Sequence, residues 1–318
     1  MYIDVHHHFN APGGRSGRPD WSPQATVEAM DGAGVAAAVG WPGPVVAGDP
    51  TSARARARFL NDFGAGVTRT YARRFGLFAS PPPLHDVDGA LNEIAYALDE
   101  LHADGIGLLT HYGDAWLGAP AFAPVFEELN RRAAVVFVHP TSSGENCPCG
   151  ALGYQTAGIS QAWLEYPFNT ARTILNLMAT GTLRAFPDIR FIFCHGGGAF
   201  TSLLSRITGL KSWFEFGEKK FEALFPQGIE AEFKRLFFEC AQAYAPQNMA
   251  LLRSLVPTSQ ILFGTDFDRF TLGHSVAQFE RLELPADVRG AIAFGNARRL
   301  FTRLTVQETN TCSTLPAA

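Results

Sequence analysis

Short apolar runs alternate with amphipathic segments along this chain, and that alternation restricts the fold more than any other feature. The runs are residues 2–6, 35–41, 75–80, 106–111, 135–139, 190–195, 236–241 and 261–266. Each has the length and side chains of a strand buried in a parallel sheet. The segments between them carry helix signals. Ser22-Pro23 offers an N-cap followed by proline in the first turn. Residues 88–103 place Leu91, Ile94, Ala95, Leu98 and Leu101 on one face and stop at Asp104-Gly105. Residues 170–183 carry Ile174, Leu175, Leu177 and Met178 in the same way, and Pro187 follows as punctuation. Eight strand–helix repeats predict an α/β fold, a closed (β/α)₈ TIM barrel rather than an open doubly wound sheet. Residues 1–304 read as one barrel domain, with loop insertions at 10–21 and 141–165 on the C-terminal face. Residues 305–318 read as a flexible polar tail.

Four of the runs deliver an imidazole or carboxylate of particular interest. The first leads into His6-His7-His8, the fifth ends in His139, the sixth in His195 and the last in Asp266. In a parallel barrel the strand ends converge, so one residue from each is enough to build a site. Side chains alternate along a strand, so His6 and His8 face one way and His7 the other. His139 alone could close a core hydrogen bond. Asp266, ending an apolar run, requires a cation or several donors if it is buried. Together His6, His8, His139 and Asp266 form a candidate metal set with positions left open for water and substrate. The fourth run contains no lysine. A carbamylated lysine bridging two metals therefore has no source there, and a mononuclear site is expected.

His195 precedes Gly196-Gly197-Gly198. The expectation is an acid or base, beside a glycine turn that exposes a helix N-terminus to an anion. An incidental histidine in a glycine turn is the alternative. His111 and Tyr112 could line the substrate pocket, or His111 could be a loop residue. Phe9, Trp41, Trp163, Phe200 and Phe267 are candidates for an apolar pocket wall, against the plain reading that they are core. Arg15, Arg18, Arg172 and Arg269 are candidates for binding a substrate carboxylate, against the plain reading that they are solvated.

Composition excludes several classes. The chain has 318 residues, 47% hydrophobic, with a formal net charge of −4. Lysine occurs only at 211, 219, 220 and 234. This is not the basic footprint of a nucleic-acid-binding protein. No apolar run approaches the roughly 20 residues of a membrane span, and no secretory signal is apparent. Five scattered cysteines, including Cys147 and Cys149, do not form a disulfide framework, so a cytoplasmic protein is expected.

The motifs Ile3-Asp4-Val5-His6-His7-His8, Phe137-Val138-His139-Pro140, Cys194-His195-Gly196-Gly197-Gly198 and Phe263-Gly264-Thr265-Asp266-Phe267 resemble the amidohydrolase superfamily. More narrowly they resemble the branch of aminocarboxymuconate-semialdehyde decarboxylase. The resemblance extends from the first strand to Gly295–Phe301. Residues 93–101, 112–118 and 124–132 further resemble 6-methylsalicylate decarboxylases. Two places depart from the family pattern: Phe267-Asp268-Arg269-Phe270, where a proline is common, and Cys147-Pro148-Cys149.

The resemblance implies one divalent ion, Zn²⁺ or Mn²⁺, on His6, His8, His139 and Asp266, with His195 as acid/base. It implies a homodimer and a small aromatic carboxylic acid as substrate, of the 2-hydroxybenzoate type; His111, Arg172 and Phe267, from the reading of the residues above, are the candidate contacts. The expected reaction is non-oxidative decarboxylation with protonation of the ring carbon. Asp266 is the expected proton carrier, and His195 steers or supplies the proton. The alternatives are a mononuclear metal-dependent hydrolase of a lactone, amide or C–C bond, a hydratase, or a binding protein whose metal is structural.

Overall fold

The computed structural model describes residues 1–12, 21–45, 49–141 and 159–304. Ten strands occur among them: β1 (Tyr2–His8), β2 (Val35–Trp41), β3 (Phe75–Ala79), β4 (Gly105–Leu109), β5 (His111–Tyr112), β6 (Ala115–Trp116), β7 (Val135–His139), β8 (Arg190–Phe193), β9 (Phe237–Glu239) and β10 (Ile261–Leu262). Eight form one sheet in the order β1-β2-β3-β4-β7-β8-β9-β10, and every neighbour pair is parallel. The pair β5-β6 is a separate antiparallel hairpin. The sheet returns on itself at one seam. There Val5 N–H donates to Phe263 O (3.0 Å) and Asp266 N–H donates to His6 O (2.8 Å). The expected (β/α)₈ barrel is thus the observed fold.

The helices follow the sequence signals with some shifts. α1 (Pro23–Ala33) begins at Ser22, whose hydroxyl accepts from Ala25 N–H, and ends at Gly34 in the left-handed region. α2 (Pro50–Thr70) packs on β3, and α3 (Val87–Ala95) packs against α2. The pattern expected over 88–103 continues past α3 as a wider turn of helix, Tyr96–Glu100. α4 (Ala123–Arg131) buries Val125, Phe126 and Leu129. α5 (Gln161–Ala179) starts well before the expected 170–183 because it tolerates Pro167 in its interior. Pro167 O is turned outward to accept Ala199 N–H at 3.1 Å. Phenylalanine fills much of the core: Phe78 stacks on Phe137, and Phe200 on Phe233.

Two strand ends differ from expectation in ways that matter. β1 continues through His8, so all three histidines belong to the strand. β10 ends at Leu262, and Gly264 to Asp266 leave regular pairing. Asp4, fully buried, secures this seam. Its carboxylate accepts from His6 N–H (3.1 Å), Thr265 N–H (2.9 Å) and the Thr265 hydroxyl (2.6 Å), and pairs with His7 Nδ1 (3.0 Å). Among the described residues no helix is long and apolar enough to cross a membrane. Cys147, Cys149, Arg15, Arg18 and the tail at 305–318 lie outside the described residues.

Asp4→Ala would strand several buried donors, each costing about 1–3 kcal/mol. We expect a stability loss of at least about 3 kcal/mol in urea unfolding. Ser22→Ala, which removes only the cap of α1, should cost about 1 kcal/mol. Equal losses in the two variants would contradict this account of the seam.

Candidate metal centre

The C-terminal ends of β1 and β7 and the segment after β10 bring four expected residues together. The ligand atoms of His6, His8, His139 and Asp266 all lie within 4.8 Å of one another. His6 and His8 do face the same side of β1. His6 Nε2 lies 3.3 Å and His8 Nε2 3.0 Å from Asp266 Oδ1. Two ligands about 2.1 Å from a shared ion stand roughly 3.0–3.4 Å apart at right-angled or tetrahedral geometry, so these spacings suit a cation.

The proton inventory points the same way. His6 Nε2 is buried and has no hydrogen-bond partner among the described residues. His6 Nδ1 is 2.8 Å from Glu239 Oε1, and His139 Nδ1 is 2.6 Å from Pro140 O. An acceptor at Nδ1 places the proton there and leaves Nε2 bare as a ligand. Burial, with His6 and His8 beside it, holds the His139 imidazole well below its ordinary pKa. Burial also lowers His8, and the nearby His6 and Arg269 add to that effect. Asp266 remains a carboxylate. Burial pushes its pKa up, but His6, His195 and His8 outweigh that and hold it well below the usual range. Burial lowers the His6 pKa, yet Glu239, Cys194 and Asp266 draw it well above the ordinary value. Two buried carboxylates around His6 thus call for positive charge, and a divalent ion at Nε2 would provide it.

His195 follows β8, with Nε2 at 3.7 Å from Asp266 Oδ2. Asp266 therefore turns one oxygen toward the imidazoles of β1 and the other toward His195. Both residues sit in the left-handed region, φ 57° for Asp266 and 56° for His195. The glycine run beside His195 is explained by packing. A Cβ on Gly198 would stand 2.3 Å from Pro167 O. The expected anion-binding helix N-terminus is not what the turn provides: Gly197, Gly198 and Ala199 already donate to Cys194 O, His195 O and Pro167 O.

The remaining sequence candidates divide. Trp41 is buried with its ring 5.0 Å from that of His139, held by Nε1–H donation to the Ser80 hydroxyl (2.7 Å). His111 is buried in the β5-β6 hairpin, its Nδ1 at 3.1 Å from Gly113 O and its ring against Trp116. Phe267 stacks on His7 at 4.8 Å, behind the strand rather than over the His6 and His8 face. Arg172 is exposed: α5 presents it on a stripe with Leu164 and Phe168, while Ala171, Thr173 and Ile174 face inward. Phe9 and Phe200 are core, and Trp163 is 71% exposed. Glu239 was not anticipated. Its signal was a carboxylate inside the apolar run 236–241, where only a paired charge can be buried.

Comparison with known proteins places the chain in a family. The chain is 33% identical over 327 residues to the decarboxylase yanB of Aspergillus niger, covering 95% of this chain and 87% of that protein. It is 33% identical over 335 residues to the 6-methylsalicylic acid decarboxylase acuB of Aspergillus aculeatus, covering 98% of each. The crystal structure of a dihydroxybenzoic acid decarboxylase from Polaromonas sp., with bound manganese and the inhibitor 2-nitroresorcinol, shares the fold. It has a TM-score of 0.83 at 21% identity, covering 97% of this chain and 99% of that one. The family model described as amidohydrolase matches residues 3–303, and the chain belongs to that family.

Proposed function

We propose that this protein is a metal-dependent, non-oxidative decarboxylase of a 2-hydroxybenzoate-type acid, with 6-methylsalicylate as the leading candidate. The observation that carries the reading is Asp266, shared between a set of three imidazoles and His195. The similarity to a 6-methylsalicylic acid decarboxylase over nearly the whole chain supports the substrate class. Residues 1–304 act as one catalytic barrel in this reading.

His6, His8 and His139 through Nε2, and Asp266 through Oδ1, would hold one divalent ion. Mn²⁺ is favoured over Zn²⁺ by its presence in the Polaromonas relative. When bound, the ion supplies Lewis acidity and a template for the substrate's oxygens. The protein's own part is to bring a proton to the ring carbon that bears the carboxylate. In this reading the imidazole of His195 supplies the proton, and Asp266 Oδ2, 3.7 Å away, orients that ring. Transfer to the ring carbon breaks aromaticity. Cleavage of the C–C bond then releases CO₂, returns the electron pair to the ring and leaves the phenol. Trp41, packed against His139, offers an apolar face beside the reacting group, and the buried hairpin ring of His111 a further wall.

We also propose a cytoplasmic homodimer. Cys194 and Cys240 are free, buried thiols, as a reducing compartment allows. The exposed Trp163, Leu164 and Phe168 of α5 offer an apolar stripe for a second copy. A solution mass of one chain by light scattering would overturn the dimer.

Purified enzyme should release CO₂ from 6-methylsalicylate, forming the matching phenol, in proportion to bound metal. Hydrolysed or hydrated products without CO₂ would move the reading to a hydrolase or hydratase. His139→Ala should lose both metal and turnover, and Asp266→Asn should abolish turnover. His195→Asn should keep its metal while kcat falls about 10²–10⁴-fold, the scale of general acid catalysis. An unchanged kcat in that variant would remove His195 from the mechanism.

A further inference from the structure

We propose that Glu239 is a positioning residue whose single carboxylate sets both His6 and His195. The inference rests on the reading of His6 as a metal ligand. Glu239 ends β9 and is fully buried. Its Oε1 lies 2.8 Å from His6 Nδ1 and accepts the backbone N–H of His195 at 2.8 Å. Its Oε2 accepts Ala241 N–H at 2.7 Å. The first contact fixes which His6 nitrogen carries the proton, and so keeps Nε2 bare toward Asp266. The second ties down the left-handed turn from which the His195 side chain emerges. One oxygen thus couples a ligand on β1 to the proton-handling imidazole after β8.

The neighbouring backbone leaves room for this group. A Cβ on Gly264 would stand 2.0 Å from Glu239 Oε2 and 3.1 Å from His6 Cβ. Glycine at 264 therefore admits the carboxylate between the first and last strands. A side chain serving only to pack would be cheaper if apolar, since burying a carboxylate is costly unless donors and positive charge compensate it. A rival role is as ligand in a second cradle, because ligand atoms of His6, Cys194 and Glu239 also lie within 4.8 Å of one another. The occupied donors count against it: both Glu239 oxygens already accept backbone N–H groups, and Oε1 also engages His6. Partners of this kind typically change metal affinity by about 10–100-fold when removed.

The test is Glu239→Gln, which preserves shape but sets an amide N–H₂ against at least one of these donors. Mn²⁺ titrated into metal-free protein by calorimetry should bind at least about 10-fold more weakly than in the wild type. After saturation with Mn²⁺, kcat should fall by more than KM changes. A variant that melts cooperatively and binds Mn²⁺ with the wild-type Kd would overturn the proposal. Failure of the wild type itself to bind Mn²⁺ would count against the proposed function instead. If the variant does not fold, ¹⁵N-histidine spectra of the Zn²⁺-loaded wild type decide. His6 should show a protonated, exchange-protected Nδ1, and an unprotonated Nδ1 overturns the coupling.

Discussion

The seam where β1 meets the segment after β10 is the constraint on which the rest depends. Parallel barrels converge their strand ends only if the first and last strands join, and here the join is short. β10 itself pairs with β9 over two residues. Closure then relies on Val5 and Phe263, His6 and Asp266, and the buried Asp4 that accepts from both Thr265 donors. The candidate ligands lie on both sides of this seam, His6 and His8 on one and Asp266 on the other. The hydrogen bonds that close the barrel are therefore the ones that set the ligand spacing.

Electrostatics makes the same region demanding. Asp4, Glu239 and Asp266 are all buried, on or just after β1, β9 and β10. Each is tolerated for a different reason. Asp4 is satisfied by donors from β1 and Thr265, and Glu239 by two backbone amides and an imidazole. Among the described residues, the Asp266 carboxylate has only imidazoles as partners. Its Oδ1 faces His6 Nε2, which finds no hydrogen-bond partner among the described residues. The unsatisfied end of the network is where a cation fits, and it opens toward His195 rather than into the core.

Much of this was legible in the residue order, because barrel strands announce themselves as short apolar runs and strand-end residues need no further information to be placed together. The ranges expected for 35–41 and 135–139 are those observed, and alternation along β1 put His6 and His8 on one face. What escaped were features whose meaning depends on neighbours in space. Glu239 lies within its run rather than after it, and its partners are 233 and 44 residues away in sequence. Arg172 could not be oriented without knowing which face of α5 meets the sheet. Phe267 follows a residue in the left-handed region, which swings its ring onto His7. Gly198, in the run after His195, is required by the approach of Pro167 O, a contact that sequence spacing does not reveal.

Backbone strain at the site gives this arrangement a mechanical logic. A non-glycine residue in the left-handed region costs about 1 kcal/mol or more. Asp266 and His195 both accept that cost, at the ends of two strands separated in the sheet by β9. An extended conformation at either position would continue the strand and carry the side chain along the wall. The left-handed turn instead lifts it over the mouth of the barrel, where the two meet at 3.7 Å. Each turn is held by a bond to its own backbone N–H: Asp266 N–H donates to His6 O, and His195 N–H to Glu239 Oε1. His6 is joined to both bonds, through its carbonyl in the first and its imidazole in the second. A single residue of the first strand thus links the two strained turns, and pairing an acid–base imidazole with a ligand carboxylate becomes a consequence of barrel closure.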